Sequence, residues 1–133
     1  MTEIMLNTNE LPWIPIVPGI DVRLLYAGAE SGRMTMLMRC KAGSALPPHK
    51  HYGAGEYLML KGRMMLPQGD ASAGTYGYEP LGSLHALTTF PEDSELLFTN
   101  YGPVAFVGED GQVAGVIDCL ELERRASEVL DAS

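Results

Sequence analysis

Cysteine is scarce in this chain. Cys40 and Cys119 stand far apart and outside any CxxC pattern. That usage excludes a disulfide framework and points to buried or free thiols in a reducing compartment. Positive charge is thin as well: nine Lys and Arg face seventeen Asp and Glu, a formal net charge of −8. Only Arg124 and Arg125 are adjacent. Such a balance repels a phosphate backbone and an anionic bilayer, so no nucleic acid and no membrane are expected as partners. No run approaches about 18 apolar residues. The start, MTEIMLNTNELPW, lacks the basic and apolar regions of a secretory signal. A cytoplasmic location is the expectation. G-x-S-x-G and P-loop motifs are absent too, which disfavours hydrolase and NTPase chemistry.

What is present is punctuation. Fifteen Gly and nine Pro separate short apolar runs such as DVRLLYA, RMTMLMRC, EYLMLK, SLHALTTF and SELLFTN. Runs spaced about ten residues apart, with turn signals between, predict an all-β sandwich or barrel. Asp110-Gly111 predicts a hairpin with a type I′ turn; Gly69-Asp70 and Gly28-Ala29 are weaker turn signals. Met34, Met36 and Met38 recur at period two, which suits core filling from one strand face, a copper thioether site being the remote alternative. Asp118 and Glu121 resemble a capping box. Cys119, Leu122, Ala126, Val129 and Leu130 then follow helical spacing, predicting a helix over about 119–130. The 133 residues fit one domain, 1–133, with its barrel over about 11–118.

The chain has three histidines. His49 and His51, two apart on an extended segment, present their rings to one side. Pro47 and Pro48 before them forbid a helix here. Two surface histidines would be the ordinary reading of H-x-H alone. His85, in the strand-like run SLHALTTF, would by itself be a hydrogen-bonded core residue. Together, three imidazoles on strands could meet in one barrel and hold a transition metal.

Gly43-x5-His49-x-His51-x4-Glu56 resembles the first motif of the cupin superfamily, and Gly74-x5-Pro80-x-Gly82-x2-His85 the second. Thr89 stands where the second motif commonly carries asparagine. HKHYGAGEYLMLKGRM, GTYGYEPLGSLH and GPVAFVGEDGQVAGVID are similar, over about Leu11 to Asp118, to the acetylacetone-cleaving and 2,4′-dihydroxyacetophenone dioxygenase group of ChrR-like cupins. The resemblance implies a double-stranded β-helix, or jelly roll, with a short C-terminal helix. His49, His51 and His85 would bind a divalent metal: Fe(II) first, with Zn, Ni, Mn or Cu also acceptable to imidazoles. The motif usually leaves six residues between its glutamate and the closing glycine, here Gly62. That count puts the ligand position on Gly55. If position 55 faces inward, Tyr57 and Met59 do too, and Glu56 faces away.

The implied reaction is O2-dependent cleavage of a C–C bond in a small β-diketone or α-hydroxyketone. In such a site Glu79 would be a base or a histidine-orienting group, its ordinary alternative being a turn glutamate before Pro80. Tyr57 and Thr88 match polar positions around the metal in those relatives; otherwise they are a core tyrosine and a strand threonine. An arginine of the relatives has no counterpart in MMLPQGD, which leaves the substrate open. Met59, Met64, Leu84, Phe90 and Phe98 are candidates for the pocket wall. Two other readings stay in play: a zinc-holding sensor module like the cupin of anti-sigma factors, and a non-oxidative metal-dependent cupin enzyme. A homo-oligomer, dimer or tetramer, is expected, with ELPWIPIVP and its Trp13 as a segment that could swap between copies.

Overall fold

Proline and glycine between the apolar runs stop each strand early, so the chain turns back on itself repeatedly. In the computed structural model, which describes residues 3–132, every recorded strand pairing is antiparallel. Met1, Thr2 and Ser133, at the ends of the expected domain, lie outside the described residues. A six-stranded sheet has the order β1 (Ile14–Val17), β2 (Ile20–Gly28), β3 (Arg33–Cys40), β12 (Ser94–Asn100), β6 (Gly55–Lys61) and β9 (Tyr76–Glu79). A four-stranded sheet has the order β10 (Leu84–His85), β5 (His49–His51), β13 (Val104–Val107) and β14 (Val113–Ile117). A second four-stranded sheet has the order β4 (Ser44–Leu46), β11 (Thr88–Phe90), β7 (Arg63–Leu66) and β8 (Gly69–Ser72). A 3-10 turn, Thr8–Glu10, precedes the strands, and helix α1 (Cys119–Ala132) follows them.

Alternation places the core. β3 turns Met34, Met36, Met38 and Cys40 inward, and β12 turns Leu96, Phe98 and Asn100 inward. They join Ile20, Val22, Met59 and Phe90 in one apolar interior. Burying side chains of this size contributes roughly 1.5–3 kcal/mol each. The three sheets wrap this interior without closing into one hydrogen-bonded cylinder. Helix α1 packs against β2 and β1 through Cys119 and Leu122. Its start is capped as expected, with the Glu121 amide donating to Asp118 Oδ1 at 2.8 Å.

Two local expectations change. SLHALTTF is not one strand: Leu84 and His85 pair with β5, whereas Thr88–Phe90 pairs with β4 and β7. The chain changes sheets at Ala86 and Leu87. The hairpin at Asp110-Gly111 exists, but its turn is not type I′. That type needs positive φ at both central residues, and only Gly111 has it, at φ 79. The Gly111 amide donates to Gly108 O, and the Asp110 carboxylate accepts from the Gln112 amide, making a longer loop. Trp13 is sandwiched by Arg23 and Arg39 of its own chain, whose guanidinium carbons lie 4.2 and 4.1 Å from its ring.

Candidate metal centre

Period-two geometry on β5 turns His49 and His51 inward. His85 on β10 is the register partner of His49, so its ring falls on the same face. The three ring centroids are 5.1–5.2 Å apart, and one nitrogen from each ring lies within 4.8 Å of the others. Burial lowers the His49 pKa, favouring the neutral imidazole that a metal requires. His49 Nδ1 lies 2.8 Å from Pro47 O, which can only accept, so this nitrogen carries the proton and Nε2 keeps its lone pair.

Glu79 reaches the same point from β9. Its Oε2 lies 2.6 Å from His51 Nε2 and 2.7 Å from His85 Nε2. None of these three buried atoms is aligned in a hydrogen bond. Two imidazole nitrogens and a carboxylate oxygen this close together out of water need either protons or a cation between them. The donor set therefore fits a divalent ion. Burial alone would raise the Glu79 pKa, but the two histidines outweigh it and hold it at about 2.

Glu79 is the direct cross-strand partner of Gly55. Position 55 faces inward, as the count from Gly62 requires, but has no side chain to offer. Glu56 faces the outer surface. Tyr76 and Tyr101 donate their hydroxyls to its two carboxylate oxygens at 2.6 and 2.7 Å, which lowers its pKa. β6 keeps uninterrupted register with β9 from Gly55 to Leu58, so no bulge reverses this parity.

Tyr57 is buried, with its ring across Gly77 and stacked on Phe98 at 5.8 Å. Burial, and then the charge of Glu79, raise its hydroxyl pKa. Thr88 is buried, its Oγ1 without a hydrogen-bond partner. It makes no hydrogen bond to the histidine cluster among the described residues. The pocket wall differs from expectation. Beside His49 and His51 lies an apolar cavity of about 70 Å³, walled by Met34, Met36, Met38, Phe98, Val104 and Phe106. Of the five wall candidates only Phe98 faces it. Met59, Met64 and Phe90 are spent in core packing, and Leu84 is 68% exposed beside an outer cleft that also reaches Glu79 and His85. The methionine stripe thus serves as core filling and cavity wall together.

Sequence reasoning missed Asn100. Its Oδ1 lies 3.1 Å from His51 Nδ1. The available signal was parity: Asn100 shares the inward face of β12 with Leu96 and Phe98, where a polar amide needs a partner.

The family model of the ChrR cupin-like domain matches residues 1–105. The chain belongs to that family. This cupin is 35% identical over 111 residues to an acetylacetone-cleaving enzyme of Acinetobacter johnsonii, covering 79% of this chain and 72% of that one. Its structure is similar to the crystal structure of an acetylacetone dioxygenase from the same organism, with TM-score 0.85 and 30% identity over 97% of this chain and 93% of that one. It is also similar to a proposed acetylacetone dioxygenase of Methylibium petroleiphilum PM1, with TM-score 0.89, 32% identity and 96% of both chains covered. Among the described residues no helix of this cupin is long and apolar enough to cross a membrane.

Proposed function

We propose that His49, His51 and His85 hold Fe(II) and that this cupin cleaves a C–C bond of a small β-diketone or α-hydroxyketone with O2. The observation that carries the reading is the convergence of three imidazoles and the Glu79 carboxylate on one buried point beside an apolar cavity. Held by the three histidines, the ion would supply Lewis acidity and redox access to O2. Glu79, ionised at neutral pH, accepts the proton from the carbon between or beside the carbonyls as the enolate forms. One negative charge then moves from Glu79 to the substrate, so the total charge of the centre stays constant. Tyr57 and Thr88 are the further polar groups proposed for the reacting substrate. Met34, Met36 and Met38 receive its apolar end and exclude water.

Oxygen uptake tests the reading. Protein loaded anaerobically with Fe(II) should consume O2 in step with substrate loss across a panel of diketones and hydroxyketones, and His85→Ala should not. Silence with metal bound in a known ratio would favour a sensor or a non-oxidative enzyme instead. The exposed outer-face residues Leu58, Leu60, Tyr76 and Tyr78 support self-association as a dimer or tetramer; a one-chain mass in sedimentation would remove that part.

A further inference from the structure

We propose that Asn100 is a positioning residue that fixes the tautomer of His51 so that its Nε2 lone pair faces the metal. The inference rests on the three-histidine metal site, but not on the reaction that follows there. Asn100 Oδ1, an acceptor 3.1 Å from His51 Nδ1, favours the tautomer with the proton on Nδ1. The other nitrogen, Nε2, is the one beside Glu79 Oε2 and directed at the cluster. In the metal-free chain Glu79, at 2.6 Å from Nε2, competes for this proton, and the Asn100 acceptor lowers the cost of keeping it on Nδ1 with Nε2 free for a cation. His51 is only 2% exposed, so water cannot take over the role.

The surroundings are shaped for this contact. Asn100 is 6% exposed and, on β12, is the direct cross-strand partner of Gly55 on β6. A Cβ at position 55 would lie 3.0 Å from the Phe98 ring and 3.1 Å from Asn100 Oδ1. Phe98 itself stacks parallel to the His51 ring at 6.1 Å. Gly55 therefore clears the space in which Asn100 and Phe98 hold His51. An amide also adds no charge. An aspartate would supply the same acceptor but bring a second carboxylate to a centre that already has Glu79. His49 is held in the same tautomer by the Pro47 carbonyl, so both β5 ligands have an acceptor behind Nδ1 and offer Nε2 to the same point.

The test reads tautomer and affinity rather than turnover. Long-range 1H–15N correlation spectra of the full-length Zn(II)-loaded chain should show His51 protonated at Nδ1 with the metal on Nε2. Wild-type protein with the metal on Nδ1 would overturn the proposal without any mutant. Zn(II) affinity, measured against a chelator of known strength, should fall roughly 10–100-fold in Asn100→Leu and recover in Asn100→Asp, which restores an acceptor. Equal Zn(II) affinity in wild type and Asn100→Leu would also overturn it. If Asn100→Leu does not fold, the wild-type spectrum decides alone. Wild-type protein that binds no Zn(II) or Fe(II) would sink the metal site, and this inference with it. Metal bound normally without O2 uptake would sink only the proposed reaction.

Discussion

Single atoms decide the chemistry of this site. Glu79 Oε2 touches two histidine nitrogens, yet its backbone belongs to a different sheet from theirs. Glu79→Gln keeps the shape and removes the proton acceptor. Turnover of the Fe(II)-loaded protein should fall roughly 100-fold or more at neutral pH; full activity there would end the role assigned to Glu79. Cys40 carries the opposite expectation. Burial, and then the charge of Asp21, push its thiol up to about 12. Intact-mass measurement should show no alkylation of native Cys40 by iodoacetamide at about pH 8, and complete reaction in denaturant. The pairing of His49 with His51 and the outward turn of Glu56 were legible because each follows from period-two geometry along its own strand; His85 was legible through the second motif. Asn100 was not legible, because its meaning depends on which strand crosses β6, and the sequence of β12 does not name its neighbour.

Elements show where local signals hold and where they fail. The helix at the C-terminus was legible from apolar spacing and its cap, because both are local; it runs to Ala132. SLHALTTF was misread as one strand because its β-forming residues continue across the point where the chain leaves one sheet for another. Propensity registers extension, not partnership. The helix also carries a pH-dependent feature. Glu121 is held at about 2 by Arg124 and Arg125, against an ordinary 4.5. A depressed carboxylate contributes its stability in full above its unfolded pKa and loses it as pH falls through the folded one. That contribution should therefore fade between pH 4.5 and about 2. Thermal melts across this window should show a shallower decline for Glu121→Gln than for wild type. Added salt should narrow the difference, since the groups are at the surface.

Across the whole molecule, the site joins two sheets. His49, His51 and His85 come from one four-stranded sheet; Glu79 and Asn100 come from the six-stranded sheet facing it. A metal held by the three histidines would bind only the folded chain, which alone brings β5 and β10 together. At a free Zn(II) concentration a hundredfold above the dissociation constant, linkage gives about 2.7 kcal/mol, or a rise in Tm of roughly 10 °C for a chain of this size. Calorimetry with and without a chelator checks this, and an unchanged Tm would mean that the ion does not bind the folded state. The all-β class and the jelly-roll architecture were legible from turn spacing and the two motifs. The division into three sheets was not, since it is set by long-range pairing. Strand β6 separates two chemical worlds by a single step: Gly55 belongs to the histidines, and Glu56 to the tyrosines outside. The segment 52–54 that delivers the chain from β5 into β6 is therefore a spacer whose length sets the ligand field. One residue fewer there, with β6 drawn back by one place, would carry Glu56 into the histidine cluster and turn Tyr57 and Met59 to the outer face. In most proteins such an indel edits a loop; here it would rewrite the inorganic chemistry.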